Sequence, residues 1–214
     1  MTSLDNIKRM EDAGAAAVVL HSLFEEQITN EALEHHYHTT QGTDSFAEAL
    51  SYFPEPESYR LDGEEYLEHL QRVKGAVDIP VIGSLNGVST GGWIKYAGKI
   101  EEAGADAVEL NLYYIATDPD VEGARLEDDY IDVLKAVKAE VKIPVAVKIH
   151  PFFTSIPAMA SRFLEAGANG LVMFNRFYQP DIDIENLRVK SGISLSHTGT
   201  SHLAQRWISI YTAG

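Results

Sequence analysis

One junction recurs along this chain. AGAAAVVL (Ala13–Leu20), AGADAVEL (Ala103–Leu110) and AGANGLVMF (Ala166–Phe174) each close a helical pattern on Ala-Gly and then open an apolar run. Gly14, Gly104 and Gly167 fit the left-handed position that ends a helix at low conformational cost. A second junction, VDIPVIG (Val77–Gly83) and VKIPVAV (Val141–Val147), places Pro80 and Pro144 where a helix must stop and a strand can begin. Five strands are therefore expected, near 16–20, 79–85, 106–112, 143–149 and 170–174. The gaps carry apolar stripes at helical spacing: Leu4, Ile7 and Met10; Tyr66, Leu67, Leu70 and Val73; Trp93, Ile94, Ala97 and Ile100; Ile131, Leu134 and Val137; Met159, Phe163 and Leu164. Strands alternating with helices imply an α/β fold with a parallel sheet, either a TIM-type barrel or a doubly wound sheet.

The stretch from about 22 to 63 breaks the pattern. It is too long for a plain connection and reads as a lid-like insertion within a single domain spanning residues 1–214. YFPEPESYR (Tyr52–Arg60) is its aromatic, kinked part. Within the insertion, His35, His36, Tyr37 and His38 are adjacent, so on a helix they point in different directions, and a solvated face is expected there instead of a metal site. The net charge of −15 argues against a nucleic-acid partner, because phosphate binding needs a basic face. With no cysteine, thiolate nucleophiles, disulfides and cysteine-held clusters are excluded from this chain. No apolar run is long enough to span a membrane, and the first residues are not a secretory leader, so a cytoplasmic location is expected.

In parallel βα architectures ligands gather beyond the carboxyl ends of the strands. Those ends read His21-Ser22, Ser84-Leu85-Asn86-Gly87, Glu109-Leu110-Asn111, Lys148-Ile149-His150 and Asn175-Arg176. By alternation, Ala107, Glu109 and Asn111 share a face, as do Ala146 and Lys148, and as do Leu171, Met173 and Asn175. One ammonium among several carboxamides suits the edge of a flat heterocycle or a planar carbonyl substrate. The paired carboxylates of a glycosidase, a nucleophile elbow and a P-loop are all missing from the sequence.

VVLHSLFEEQI (Val18–Ile28), YFPEPESY (Tyr52–Tyr59), IPVIGSLNG (Ile79–Gly87), ADAVELN (Ala105–Asn111), IPVAVKI (Ile143–Ile149) and GLVMFNRFYQPDID (Gly170–Asp183) together resemble the dihydroorotate dehydrogenase family, in its dihydroorotate dehydrogenase-like branch. The resemblance implies an FMN-binding TIM barrel that oxidises dihydroorotate to orotate in pyrimidine biosynthesis. It implies that the five strands are barrel strands two to six. It assigns Lys148, Asn111, Ser22 and Ser84 to the flavin, and Asn111, Asn175 and His21 to the substrate. It places Tyr114 at the position of the family's catalytic base, with Lys148 stabilising charge on the reduced flavin.

Four positions depart from the family pattern. His21 stands for the Lys of a Lys-Ser pair, and Tyr114 stands for the Cys base. Ala116 replaces a following Asn, and Tyr52–Tyr59 replaces an Asn-rich substrate loop, leaving Arg60 as the cation there. A phenol is a poor proton acceptor at neutral pH.

Against an eight-stranded barrel, the first strand and the last two βα units are expected to be missing, with no Gly-rich phosphate loop after the fifth strand. Such an arc is expected to bind FMN weakly or not at all, to have open strand edges, and to leave Glu109 and Lys148 near water. A homo-oligomer or a partner fragment would complete the wall. Two other readings fit the same residues: a barrel that binds without catalysis, and a Schiff-base lyase using Lys148.

Overall fold

The computed structural model describes residues 3–24, 62–86, 90–112, 114, 117–175, 181–190 and 198–212. The elements run α1 (Leu4–Asp12), β1 (Val18–Phe24), α2 (Asp62–Lys74), β2 (Val81–Asn86), α3 (Thr90–Glu102), β3 (Ala107–Asn111), α4 (Gly123–Glu140), β4 (Val145–Ile149), α5 (Ile156–Glu165) and β5 (Gly170–Met173). A short hairpin, β6 (Asp181–Asp183) and β7 (Arg188–Lys190), and a last helix α6 (His202–Thr212) follow. Most of the expected 22–63 insertion, with its His35–His38 cluster and Arg60, lies outside the described residues, as do Ala116, Arg176 and 193–195.

The five main strands form one parallel sheet in the order β1-β2-β3-β4-β5. That sequential order decides between the two architectures left open by the sequence. A doubly wound sheet reverses direction at a switch point, whereas barrel strands follow one another around the wall. The chain is thus a five-stranded arc of TIM-barrel type.

All three Ala-Gly junctions are built alike. Gly14, Gly104 and Gly167 have φ of +90°, +92° and +100°. In each, the glycine N–H reaches the carbonyl three residues back, and the next N–H reaches five back: Gly14 to Glu11 and Ala15 to Met10, Gly104 to Glu101 and Ala105 to Ile100, Gly167 to Leu164 and Ala168 to Phe163. These paired bonds satisfy helix-end carbonyls that would otherwise be orphaned. The proline junctions work as expected too. Pro80 and Pro144 precede the first residues of β2 and β4, and their carbonyls accept from Val18 (3.0 Å) and Val108 (2.9 Å) on the neighbouring strands.

Register divides the sheet into two faces. Val18, Val81, Gly83, Leu85, Val108, Leu110, Val145, Val147 and Ile149 face the helices; every one is buried except for the side chain that Gly83 lacks. A Cβ on Gly83 would collide with Ile100 Cγ2, so glycine lets α3 approach the sheet. The opposite, inner face is layered. Val19, Ile82 and Ala107 form an apolar rung; Ser22, Ser84, Glu109, Ala146 and Gly170 form the next; Asn111, Lys148 and Val172 form the one above. The inner face thus turns from apolar to polar toward the strands' carboxyl ends.

Three expectations change. Val147 pairs with Leu171 and Ile149 with Met173, so Leu171 and Met173 face the core, while Gly170 and Val172 line the inner face. Met10 and Leu164 are 39% and 57% exposed, because each lies on its helix away from the core stripe. The β6–β7 hairpin is an element that the sequence pattern does not predict; its Ile182, Ile184 and Leu187 are exposed. No helix among the described residues is long and apolar enough to cross a membrane.

Candidate ligand site at the carboxyl end of the sheet

A bulge in β1 creates the first part of the site. Val19 pairs with Ile82 but Ser22 pairs with Ser84, so β1 carries one extra residue between them. Counted from Val18, strict alternation would turn Ser22 toward the helices; the bulge turns it inward. Val81 directs its backbone N–H and carbonyl toward Asp106 on the β3 side. Two-residue alternation then points those of Ser84 toward β1, where the bulge disrupts the ladder. The Tyr66 phenol fills the break, accepting from Ser84 N–H (2.9 Å) and donating to Ser84 C=O (3.3 Å). Burial pushes the Tyr66 phenol up to about 12, with the nearby Glu109 charge adding to the shift and the Ser84 N–H partly offsetting it.

Side chains from four strands then meet on the inner face. Ser22 Oγ lies 2.8 Å from Ser84 Oγ, and Ser84 Oγ donates to Glu109 Oε1 at 3.0 Å. Lys148 Nζ lies 3.6 Å from the same carboxylate oxygen. One rung higher, Asn175 Nδ2 donates to Asn111 Oδ1 at 2.8 Å, and Asn111 is the register partner of Lys148. Asn175 reaches this point because β5 ends at Met173 and the chain then leaves the strand path; its own N–H is held by the Ile149 carbonyl at 2.7 Å.

Ser22, Ser84, Lys148, Asn111 and Asn175 are therefore brought to one face at one end. His21 goes elsewhere: its ring meets Tyr66 edge-on at 5.1 Å and lies 6.3 Å from His69, both on α2. Tyr114 is 53% exposed beyond β3. Its backbone sits against the Tyr130 phenol, which burial pushes up while that backbone hydrogen bond partly counters the shift.

The expectation that Glu109 stands near water is overturned, because it is 5% exposed. Glu109 and Tyr66 are the residues that sequence reading passed over as parts of a site. Glu109 carried a signal, sharing a strand face with Asn111; Tyr66 looked like any residue of a core stripe. His150 caps the next loop. Its Nδ1 accepts from Phe152 N–H at 3.1 Å, its ring stacks on Phe153 at 4.2 Å, and burial pushes the imidazole down, favouring the neutral ring. Among the described residues no cluster of His, Asp or Glu is arranged to hold a metal ion.

A parallel βα arc with polar side chains converging at its carboxyl end defines a TIM-barrel-type fold with a candidate ligand site. The fold is matched by phosphonopyruvate hydrolase in complex with oxalate and magnesium (TM-score 0.53, 15% identity, 85% of this chain and 58% of that one). It is also matched by a dihydrodipicolinate synthase of Agrobacterium tumefaciens (TM-score 0.52, 15% identity, 79% and 46%). No family model matches the chain. By sequence it is similar to the catalytic subunit of dihydroorotate dehydrogenase B (NAD(+)) of Methanocaldococcus jannaschii, 35% identical over 129 residues, 56% of this chain and 40% of that protein. Dihydroorotate dehydrogenase A (fumarate) of Lacticaseibacillus paracasei is 33% identical over 117 residues, 50% and 38%. Over about half its length the chain is dihydroorotate dehydrogenase-like, and it spans less than half the length of these relatives.

Proposed function

We propose that the inner-face site binds the ring of FMN and belongs to a flavin-dependent oxidoreductase of the dihydroorotate dehydrogenase type. The observation that carries this reading is the convergence of Lys148, Asn111 and Asn175 on one face at the carboxyl end of the arc. Carboxamides both donate and accept, and an ammonium donates, which is the complement of a flat ring edge with alternating carbonyl and N–H groups. The donor set fits the ring. When bound, FMN supplies a two-electron acceptor.

The chain's own residues would do the rest. Lys148 would donate to the electron-rich edge of the ring. Asn111 and Asn175, already bonded to each other, would orient ring and substrate, and Ser22 and Ser84 would support that arrangement from the rung below. Dihydroorotate as substrate, with Tyr114 in the place of the base, is the specific form of the proposal.

A second reading has its own support. Tyr114 is exposed, with its backbone against the Tyr130 phenol, which favours a barrel that binds the ring without turning substrate over. The lyase alternative is less favoured, since an ion pair with a buried carboxylate suits an ammonium and not the free amine of a Schiff base. Titrating FMN into the purified chain tests the leading reading. The expected result is a perturbed flavin absorbance band with micromolar or weaker affinity, lost in Asn111→Ala. An unperturbed spectrum at saturating flavin would overturn it. Dihydroorotate-dependent bleaching of the bound flavin then separates catalysis from binding alone.

A further inference from the structure

Glu109 is a carboxylate in a buried place, and a buried charge persists only with partners. Its partners come from both sides. Ser84, 1% exposed, has a single hydroxyl hydrogen, and that hydrogen goes to Glu109 Oε1. The donor in the Ser22–Ser84 contact must then be Ser22. Donors from β1 and β2 are thus aligned toward one carboxylate on β3, each hydrogen bond polarising the next, while the Lys148 ammonium stands on the β4 side at 3.6 Å.

This arrangement decides what Lys148 can attract. An isolated lysine at the mouth of an arc would draw any oxyanion. Here the ammonium and carboxylate cancel, and an anion arriving beside Lys148 meets a negative charge directly behind it, in surroundings that screen poorly. An uncharged imide edge meets no such opposition and still finds the lysine N–H and the amides of Asn111 and Asn175.

We propose that Glu109 is a specificity-determining positioning residue: it fixes Lys148 on the inner face and makes the position beside Lys148 refuse oxyanions in favour of an uncharged ligand edge, leaving an anionic group of a substrate to bind elsewhere in the site. The proposal rests on the ring-binding reading of this site for the ligand it favours, but not for the anions it excludes.

The test titrates two probes into wild type and Glu109→Gln: labelled sulfate by equilibrium dialysis, and riboflavin, which has the ring without the phosphate, by fluorescence quenching. Glutamine keeps the shape and an acceptor for Ser84. The expected result is that sulfate binds Glu109→Gln about tenfold or more tighter than wild type, the scale of removing one close like charge. The gain should vanish when Lys148→Met is added, and riboflavin should weaken in Glu109→Gln because the ammonium is no longer fixed. Glu109→Asp, which keeps the charge on a shorter arm, should still refuse sulfate but bind riboflavin less well; it serves if Glu109→Gln does not fold. Equal sulfate affinity in wild type and Glu109→Gln, or a gain that survives Lys148→Met, would overturn the proposal. A wild type blind to riboflavin but with the Lys148-dependent sulfate gain intact would sink the flavin reading and leave the charge role of Glu109 standing.

Discussion

The two ends of the sheet use similar side chains to opposite effect. At the amino end, polar groups serve the backbone, and they do so twice. Glu11, at the end of α1, accepts from Asp78 N–H (2.7 Å) and Ile79 N–H (3.2 Å) ahead of β2; Glu101, at the end of α3, accepts from Lys142 N–H (2.8 Å) and Ile143 N–H (3.1 Å) ahead of β4. Asp106 accepts from Val81 N–H (2.7 Å) and is held by Lys74; Asn169 accepts from Val145 N–H (2.9 Å) and is held by Lys138. The same four places recur with a period of two βα units. At the carboxyl end the described polar side chains serve one another instead: Ser22, Ser84, Glu109 and Lys148 form one chain of contacts across the strands, and Asn111 and Asn175 bond to each other above it. Side chains bound to backbone mark the end that holds the arc together, and side chains bound to one another mark the end open to chemistry, as barrels divide stability and function generally.

The largest effect is expected where the carboxyl end depends on structural support. Tyr66→Phe leaves a buried N–H and C=O of Ser84 without the phenol and should lower stability by about 2–3 kcal/mol, read from urea unfolding. The phenol is raised to about 12 in the folded chain, against an ordinary value near 10, so the unfolded chain loses this proton first. Stability should therefore fall as pH rises from about 10 to about 12, and Tyr66→Phe should lose that component. An unchanged alkaline limb would place the phenol outside the bulge.

A somewhat smaller effect tests the repeat. Asp106→Ala strips the acceptor from the buried Val81 N–H and should cost about 1–3 kcal/mol, whereas Asp106→Asn copies the other half of the repeat and should stay within about 1 kcal/mol of wild type. The two should also differ in acid. Burial works against the Asp106 charge, but Lys74 and the Val81 N–H outweigh it and hold the carboxyl below its usual range. Its contribution is full above that range and is lost as pH falls through the depressed value, so Asp106→Asn should flatten the acid limb. If Asp106→Asn were as damaging as Asp106→Ala, the two halves would not be equivalent. The smallest effect on stability, under about 1 kcal/mol, is expected for Asn175→Ala, since the residue lies past the end of β5; its riboflavin affinity should nevertheless fall clearly. A large loss of stability with unchanged binding would move Asn175 to the structural side.

The junctions at the amino end are legible in the sequence because their chemistry is local, whereas the Glu11, Glu101, Asp106 and Asn169 bonds, which join residues 24 to 68 apart, are not. A glycine after alanine at a helix end, and a proline before a valine run, state their geometry within a few residues. The carboxyl end was legible as a list of polar strand ends, less so as an arrangement. The β1 bulge reverses the face of Ser22, and no residue between Val19 and Ser22 announces it. Leu171 and Met173 looked inward only because Asn175 was counted on their strand, which stops short of it. Glu109 is expected near water because the arc is open, yet it is 5% exposed and contacts Ser84 and Lys148, neighbours in space that lie far away in sequence.

The central claim is that ligand chemistry sits on the inner face at the carboxyl end. Mapping amide chemical-shift changes on adding riboflavin tests it most directly. The account predicts that shifts cluster at Ser84, Asn111, Lys148 and Asn175 while Glu11, Glu101, Asp106 and Asn169 stay still. Shifts centred on that second group, or on the helix-side residues His21 and His69, would contradict it.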